Sequence, residues 1–465
     1  MIKQIIINFL GIFSSRILGF IRDLLSASIL GANIYSDIFF TAFKLPNLFR
    51  RIFAEGAFTQ SFLPSFAKEK NKPRFALKVF VYFLSIILLL TIFINIFSYE
   101  VTSLIAPGFS QEAKKIASKF VAINFWYLDL IFIVTFFSTL LQYKNHFLTT
   151  AFSTIFLNLS LILALLISKG EDKETIVFYL SIGVIVGGIF QVIVHLIAAK
   201  QYKILKFLYI GAISKKKTSL KTFKKHFLPS LFGNSTAQLS SFIDTFLASF
   251  LTSGSISYLY YANRLFQLPF ALFVIATSSV VFPKITKYLH SNQEEKAIKI
   301  LKKSFWFLFY ALIFATIIGA VLSEEIVKLL FQRGAFEKSD SKITAYVFVM
   351  YLIGLIPLGL NKLFSSYLYA THRHLKAAKI SFFSVLVNVI FSIILIFPLK
   401  VLGLALASSI SGWILFYFTL KEFGFRDFFG FFKKRYVLGM ILAILISIIM
   451  AILFKEVLIF FKGAV

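Results

Sequence analysis

The stretch Ser15-Arg-Ile-Leu-Gly-Phe-Ile-Arg-Asp23, followed by Asp37-Ile-Phe-Phe-Thr-Ala-Phe-Lys-Leu-Pro-Asn-Leu-Phe-Arg-Arg-Ile-Phe-Ala-Glu-Gly-Ala-Phe58, decides how this chain reads. It is apolar enough to enter a membrane, yet it carries Arg16, Arg22, Asp23, Asp37, Lys44, Arg50, Arg51 and Glu55. A charged side chain at the bilayer centre costs roughly 2.5–3.5 kcal/mol on lenient insertion scales. Eight of them facing lipid would cost on the order of 20 kcal/mol, more than the net stability of a typical domain. These groups must therefore face one another, water or a charged substrate, and function is expected in this N-terminal stretch.

The rest of the 465 residues explains why the stretch is a membrane segment. The chain is 58% hydrophobic and only 15% charged, with a mean hydropathy of +0.85, where a soluble domain carries about 25% charged residues. It reads as an all-α polytopic membrane protein. There is no cysteine, which excludes disulfides, thiolate metal sites and Cys nucleophiles. No cleavable signal is expected, because the first apolar run is short and leads straight into charged residues. The 61 Phe read as a compositional bias without a structural purpose.

A span needs about 20 apolar residues. Thirteen are read, at 4–30, 34–66, 77–99, 117–142, 147–168, 175–199, 226–251, 256–282, 304–323, 343–370, 377–398, 401–420 and 436–460. With the N-terminus in the cytoplasm, most of the 49 Lys and Arg fall in cytoplasmic segments and acidic residues lean outward. That is the positive-inside pattern. The net charge of +29 is thus spread over alternating loops and does not indicate a nucleic-acid partner. The basic stretch 200–225, with Lys215, Lys216, Lys217, Lys224 and Lys225, reads as a topogenic loop facing anionic lipid.

The two halves resemble each other. Leu18-Gly-Phe-Ile-Arg-Asp23 lies against Leu239-Ser-Ser-Phe-Ile-Asp244, Phe62-Leu-Pro64 against Val281-Phe-Pro283, and Leu157-Asn158-Leu against Val387-Asn388-Val. Ala106-Pro-Gly-Phe109 and Gly334-Ala-Phe336 occupy the same place in each half. Each half holds six spans starting on the same side, so the repeat is parallel, an architecture suited to alternating access with the substrate site between two bundles. The organisation expected is a first lobe at 1–200, a basic linker at 201–225, a second lobe at 226–421 and an extra C-terminal span within 422–465.

The charged group is five basic and three acidic residues, net +2. Arg16 and Arg22 are six apart, so a regular helix turns them to different faces. Pro46 is placed to kink or break the second span. Arg51 and Glu55 are four apart and suited to pairing. Lys44, Arg50 and Arg51 suit either a cavity or the membrane interface. Arg pairs bidentately with phosphate, so an electropositive cavity suits a phosphate-bearing substrate. In the second half, Arg264 follows a Tyr cluster, Tyr258, Tyr260 and Tyr261, which suits either the interface or a sugar.

Asp244 with Asn388 and Ser392 has two readings, an oxygen-rich cation site or a hydrogen-bonded packing group. Asp129 is a similar case. The His residues show no metal spacing, and no catalytic triad, phosphate loop or HExxH pattern occurs. The chain reads as a transporter and not an enzyme.

Ser15–Asp23 and Asp37–Phe58, with Ala106-Pro-Gly-Phe109, Ser253-Gly-Ser-Ile-Ser257, Tyr260-Tyr-Ala, Arg264-Leu and Phe331-Gln-Arg-Gly334, closely resemble the signatures of the MurJ (MviN) lipid II flippase family. The resemblance implies two six-helix lobes like those of the MATE-type multidrug/oligosaccharidyl-lipid/polysaccharide exporters, with additional C-terminal helices. It implies that Arg16, Arg22, Asp37, Arg50, Arg51, Glu55 and Arg264 stand at charged positions important for flipping, with cavity arginines meeting the pyrophosphate. Asp23 belongs to the same group. The family usually has fourteen spans, the last two forming a lipid-tail groove; only one terminal span is read here. Asn263 and Gln267 stand where relatives often carry acidic residues. The family's sodium site is similar to Asp244 plus Asn388, so Na+ is the one ion the resemblance raises; no cofactor is required.

The function so implied is movement of lipid II between leaflets of the bacterial cytoplasmic membrane. Membrane lipids and the cell-wall synthesis machinery are the further partners expected. Two readings share the fold. A cation-coupled multidrug exporter sits poorly with an Arg-rich first span, and an O-antigen or polysaccharide-unit flippase is disfavoured by the Ser15–Asp23 and Asp37–Phe58 signatures.

Overall fold

The computed structural model describes residues 2–50 and 57–463, and among them every regular element is a helix. The chain packs as two compact units. One holds the residues up to Ser257 together with Arg333–Phe336, and the other holds Tyr258–Gln332 and the residues from Glu337 onward.

The first unit is built from α1 (Ile2–Leu30), α2 (Ile34–Phe49), α3 (Thr59–Lys68), α4 (Lys72–Ile96), α5 (Ser98–Ile105), α6 (Gln111–Phe125), α7 (Tyr127–Tyr143), α8 (Leu148–Ile167), α9 (Lys173–Gln201), α10 (Ile204–Ile213) and α11 (Lys221–Ala248). Local chemistry sets the boundaries. Asn33 caps α2 by accepting from the Tyr35 N–H at 2.9 Å, while the Ser36 hydroxyl accepts from the Asn33 N–H at 2.8 Å. Ser110 caps α6 and Asp172 caps α9. Pro46 does not break α2: the helix runs through it to Phe49. Beyond it Arg50 keeps right-handed helical angles, φ −53° and ψ −49°, and its N–H bonds back to the Pro46 and Asn47 carbonyls in a π-helical turn, so the ladder shifts register instead of ending.

Much of this unit's core is aromatic. Phe58, Phe62, Phe75 and Phe223 are fully buried, and neighbouring rings meet edge-on or stacked with centroids 5–6 Å apart, as in Phe58–Phe62 at 5.3 Å and Phe58–Phe132 at 5.6 Å. The abundance of Phe therefore has a structural use that composition did not reveal. Such ring pairs add attraction beyond area burial, which matters where lipid removes the hydrophobic drive between helices.

The second unit takes up α12 (Ser255–Pro269) from Tyr258 onward, a π-helical turn at Phe270–Ile275, then α13 (Ala276–His290), α14 (Glu294–Val321), α15 (Ser323–Phe331), α16 (Lys338–Leu352), α17 (Leu355–Ala370), α18 (His374–Leu399), α19 (Val401–Phe423), α20 (Phe425–Phe429) and α21 (Lys434–Gly463). The π turn directly follows Pro269, a usual place for the helical ladder to slip. Phe305, Trp306, Phe364, Phe428 and Phe431 form its aromatic nucleus, and the Trp306 indole N–H donates to the Phe431 carbonyl at 3.1 Å.

The repeat seen in the sequence reappears as element order. The series α4–α9 is one long helix, one short helix, a helix interrupted once, then two more; α14–α19 repeats it. Among the described residues ten helices are long and apolar enough to cross a membrane. They coincide with ten of the expected spans. The remaining three, 4–30, 34–66 and 226–251, fall on α1, on α2 with α3, and on α11, whose sequences are the most charged and polar. Residues 204–213 of the expected linker form a helix.

One short segment seals the first unit. Ala335 N–H donates to the Ser28 carbonyl at 2.7 Å, and Gly334 holds φ +58° with its Cα against the same carbonyl. A Cβ at 334 would be strained in the left-handed region and would overlap backbone. Gly334→Ala should therefore cost about 1–3 kcal/mol and lower the melting temperature of the detergent-purified protein by several degrees. An unchanged melting curve would show that the segment does not seal α1.

Candidate functional site

The charged ladder begins on one face of α1. Gly11, Ser15, Gly19 and Arg22 recur at helical spacing and turn toward α8. A Cβ at Gly11 would lie 2.6 Å from the Ala151 carbonyl oxygen, so glycine lets the helices touch backbone to backbone. Ser15 then meets α8 twice: the Thr154 hydroxyl donates to the Ser15 hydroxyl at 2.7 Å, and the Asn158 amide donates to the Ser15 carbonyl at 3.1 Å.

Arg22 is held tightly. Its Nε and Nη2 donate to Asp23 Oδ1 at 3.2 and 2.7 Å, and its Nη1 donates to Asn158 Oδ1 at 3.0 Å. Asp23 is 2% exposed. The adjacent residues thus neutralise each other inside the unit, as buried charges must. Arg16 differs. It is exposed on another face of α1, as the six-residue spacing requires, and makes no hydrogen bond or ion pair among the described residues.

On α2, Asp37 is buried with both carboxylate oxygens occupied. Oδ2 accepts from the Gly254 N–H at 2.7 Å, and Oδ1 accepts from the Ser257 N–H at 2.8 Å and the Ser257 hydroxyl at 2.6 Å. These donors belong to the turn that opens α12, so Asp37 does the work of a helix cap supplied from 220 residues away. The sequence reading makes Asp37 a substrate-facing group; in this structure its carboxylate is taken up by the turn that opens α12. One helical turn beyond the buried Thr41, Lys44 donates to the Ser241 hydroxyl of α11 at 2.7 Å and lies within electrostatic reach of Asp244. Arg50 donates to Asn47 Oδ1 at 3.2 Å. Arg51 and Glu55 lie outside the described residues.

In the second unit, the Arg264 guanidinium sits 4.7 Å above the Tyr260 ring and donates to its hydroxyl at 2.8 Å. One Tyr of the cluster therefore orients the arginine, and Tyr258 instead donates to Asp340 at 2.8 Å. Gln267 donates to Asn263 on the same helix. Asn388 and Ser392 are both buried on α18, with Asn388 donating to Ser408 at 3.2 Å. Asp244 Oδ1 and Ser392 Oγ are buried without a hydrogen-bond partner among the described residues. Asp129 accepts from the Thr91 hydroxyl at 2.6 Å. No cluster of three His, Asp or Glu suited to a metal occurs among the described residues.

The family model described as "Lipid II flippase MurJ" matches residues 26–464. The chain belongs to the lipid II flippase MurJ family. A Helicobacter pylori J99 protein named "Probable lipid II flippase MurJ" is 47% identical over 446 residues, covering 92% of this chain and 97% of its own. A solved structure titled "Lipid II flippase MurJ, inward closed conformation" superposes with a TM-score of 0.76 at 26% identity, covering 99% of both chains. A multidrug MATE transporter in its inward-facing conformation gives 0.69 at 12% identity over 89% of this chain and 94% of its own, which is a likeness of fold alone.

Within this MurJ-family chain, sequence reasoning missed the partners more than the charges. Asn158 was visible only as a repeat match to Asn388, yet it binds Arg22. Ser257 lies in the Ser253-Gly-Ser-Ile-Ser257 stretch that carries the family resemblance, and that was the one signal pointing to it.

Asp37→Ala would take the buried acceptor from the Gly254 and Ser257 backbone N–H groups, while the Ser257 hydroxyl keeps Ser36, at a cost of about 2–4 kcal/mol. Asp37→Asn should recover only part of that, since its amide presents one acceptor oxygen where the carboxylate has two. Both variants should melt several degrees lower than the parent in detergent. A parent-like melting curve with abolished transport would return Asp37 to the substrate.

Proposed function

We propose that this chain moves lipid II, the undecaprenyl-pyrophosphate-linked disaccharide-pentapeptide, from the inner to the outer leaflet of the bacterial cytoplasmic membrane. The N-terminus lies in the cytoplasm, where the positive-inside distribution puts it. The observation that carries the reading is the division of labour along α1 and α2, in a chain of the MurJ family. Arg22 is compensated and holds helices together, while Arg16 is an exposed cation with no hydrogen bond or ion pair among the described residues. An unpaired arginine in a membrane segment is stable only where water or an anion reaches it, and a pyrophosphate supplies that anion.

The chemistry is binding and release, with no bond made or broken. Arginine favours the pyrophosphate while the lipid tail stays in hydrocarbon, so only the head group needs a polar path. Alternating access then exposes the cationic groups to one side at a time. A membrane potential acts on such groups with about 2.3 kcal/mol per charge per 100 mV. Arg264, fixed by Tyr260, is proposed as a second cation for the head group. Asp244 is the residue through which Na+ would act, in competition with the nearby Lys44 ammonium.

In a strain depleted of its lipid II flippase, this chain should restore growth and the accessibility of lipid II to an outer-leaflet probe. Arg16→Ala should abolish both while leaving the melting curve unchanged. Arg22→Ala should abolish both and also destabilise the protein, because buried Asp23 loses the guanidinium 2.7 Å away and Asn158 loses its donor. Normal labelling with Arg16→Ala would remove the substrate role. Failure of the well-expressed parent to rescue would favour another lipid-linked saccharide as substrate.

A further inference from the structure

The first unit carries a second basic feature, far along the chain from α1. A cavity of about 550 Å³ opens where α7 ends and α10 begins. Its rim holds Lys72, Lys144, Lys203 and Lys206 together with Tyr143 and Tyr202. Its floor is apolar, formed by Phe66, Leu140, Phe207 and Ile210. No acidic side chain is among the lining residues, and none of the four lysines forms an ion pair among the described residues. Four ammonium groups around one cavity repel one another, so an anion is the missing element.

The polar rim is built. Lys72 donates to the Tyr143 hydroxyl at 3.1 Å. The Tyr202 hydroxyl meets His146 Nδ1 at 2.9 Å, and His146 Nε2 meets Thr149 at 2.7 Å. Lys203 takes φ +58°, a left-handed conformation rare for a side-chain-bearing residue, and this turns the chain sharply from α9 into α10 at the cavity's edge.

What lies beside the cavity identifies the source of the anion. The ten-residue α10 is too short to cross a bilayer, at about 15 Å against about 30 Å of hydrocarbon. Its inner face, Ile204, Leu208 and Gly211, is buried, yet its outer face is also apolar, with Tyr209 67% and Ile213 64% exposed. A short helix apolar on both faces, flanked by lysines, lies in the membrane interface. We propose that this cavity is a binding site for an anionic phospholipid, with the phosphate among the four lysines and the glycerol and upper acyl chain over the Phe66–Ile210 floor. The site is distinct from the α1–α2 ladder and does not depend on the transported substrate.

The test is native mass spectrometry of the detergent-purified protein titrated with phosphatidylglycerol or phosphatidylcholine. The parent should retain phosphatidylglycerol in preference to phosphatidylcholine. Lys72→Gln combined with Lys203→Gln and Lys206→Gln should weaken that retention about tenfold or more. Ile210→Trp, which fills the floor and removes no charge, should weaken it as well. Lys215→Gln with Lys216→Gln and Lys217→Gln removes as many charges nearby in the chain but outside the cavity, and should leave retention unchanged. Equal losses in the two lysine variants would overturn the site in favour of diffuse surface charge. Displacement of the lipid by millimolar inorganic phosphate would overturn the lipid assignment in favour of a soluble anion.

Discussion

A charge can stay inside a membrane protein only if another group inside the same protein answers it, and the pairing of Arg22 with Asp23 and Asn158 is where this chain meets that constraint. Hydrocarbon offers no water to solvate a stray guanidinium, so the alternative to this arrangement is several kcal/mol of desolvation. The consequences run outward. Asn158 must come from α8, so α1 must lie along α8, and Gly11 is what allows the backbones to approach that closely. Ser15 and Thr154 complete the seam.

The same rule operates at Asp37, with a different partner. A buried carboxylate needs donors, and the turn that opens α12 has backbone N–H groups that need acceptors. Joining the two satisfies both and ties residue 37 to residues 254 and 257. Charges answered in this way are structural. Arg16, by contrast, makes no hydrogen bond or ion pair among the described residues.

Hydropathy made most of the helices legible, because a bilayer obliges each crossing segment to satisfy its own backbone hydrogen bonds. The turns at Ala106-Pro-Gly-Phe109 and Gly334-Ala-Phe336 were legible from their Gly and Pro, and they separate α5 from α6 and α15 from α16. Other features resisted reading. Residues 204–213 look like the apolar part of a basic loop, since ten residues lack the length that marks a span. Pro46 looks like a helix breaker, yet α2 runs through it and Arg50 beyond it is still helical. The Phe residues look like bias until their rings are seen packed together.

From the sequence alone follow the membrane environment, the helical class, the internal repeat and the list of charged residues that must matter, because each rests on composition or on spacing along one helix. Which of those charges are answered within the fold was decided only by tertiary structure. Arg16 and Arg22 are the same residue type six positions apart. One is neutralised by its neighbour and hydrogen-bonded to Asn158, 136 residues away, and the other makes no such bond among the described residues. Hydrogen bonds depend on distances of about 3 Å, and the chain order of a sequence carries no such distances.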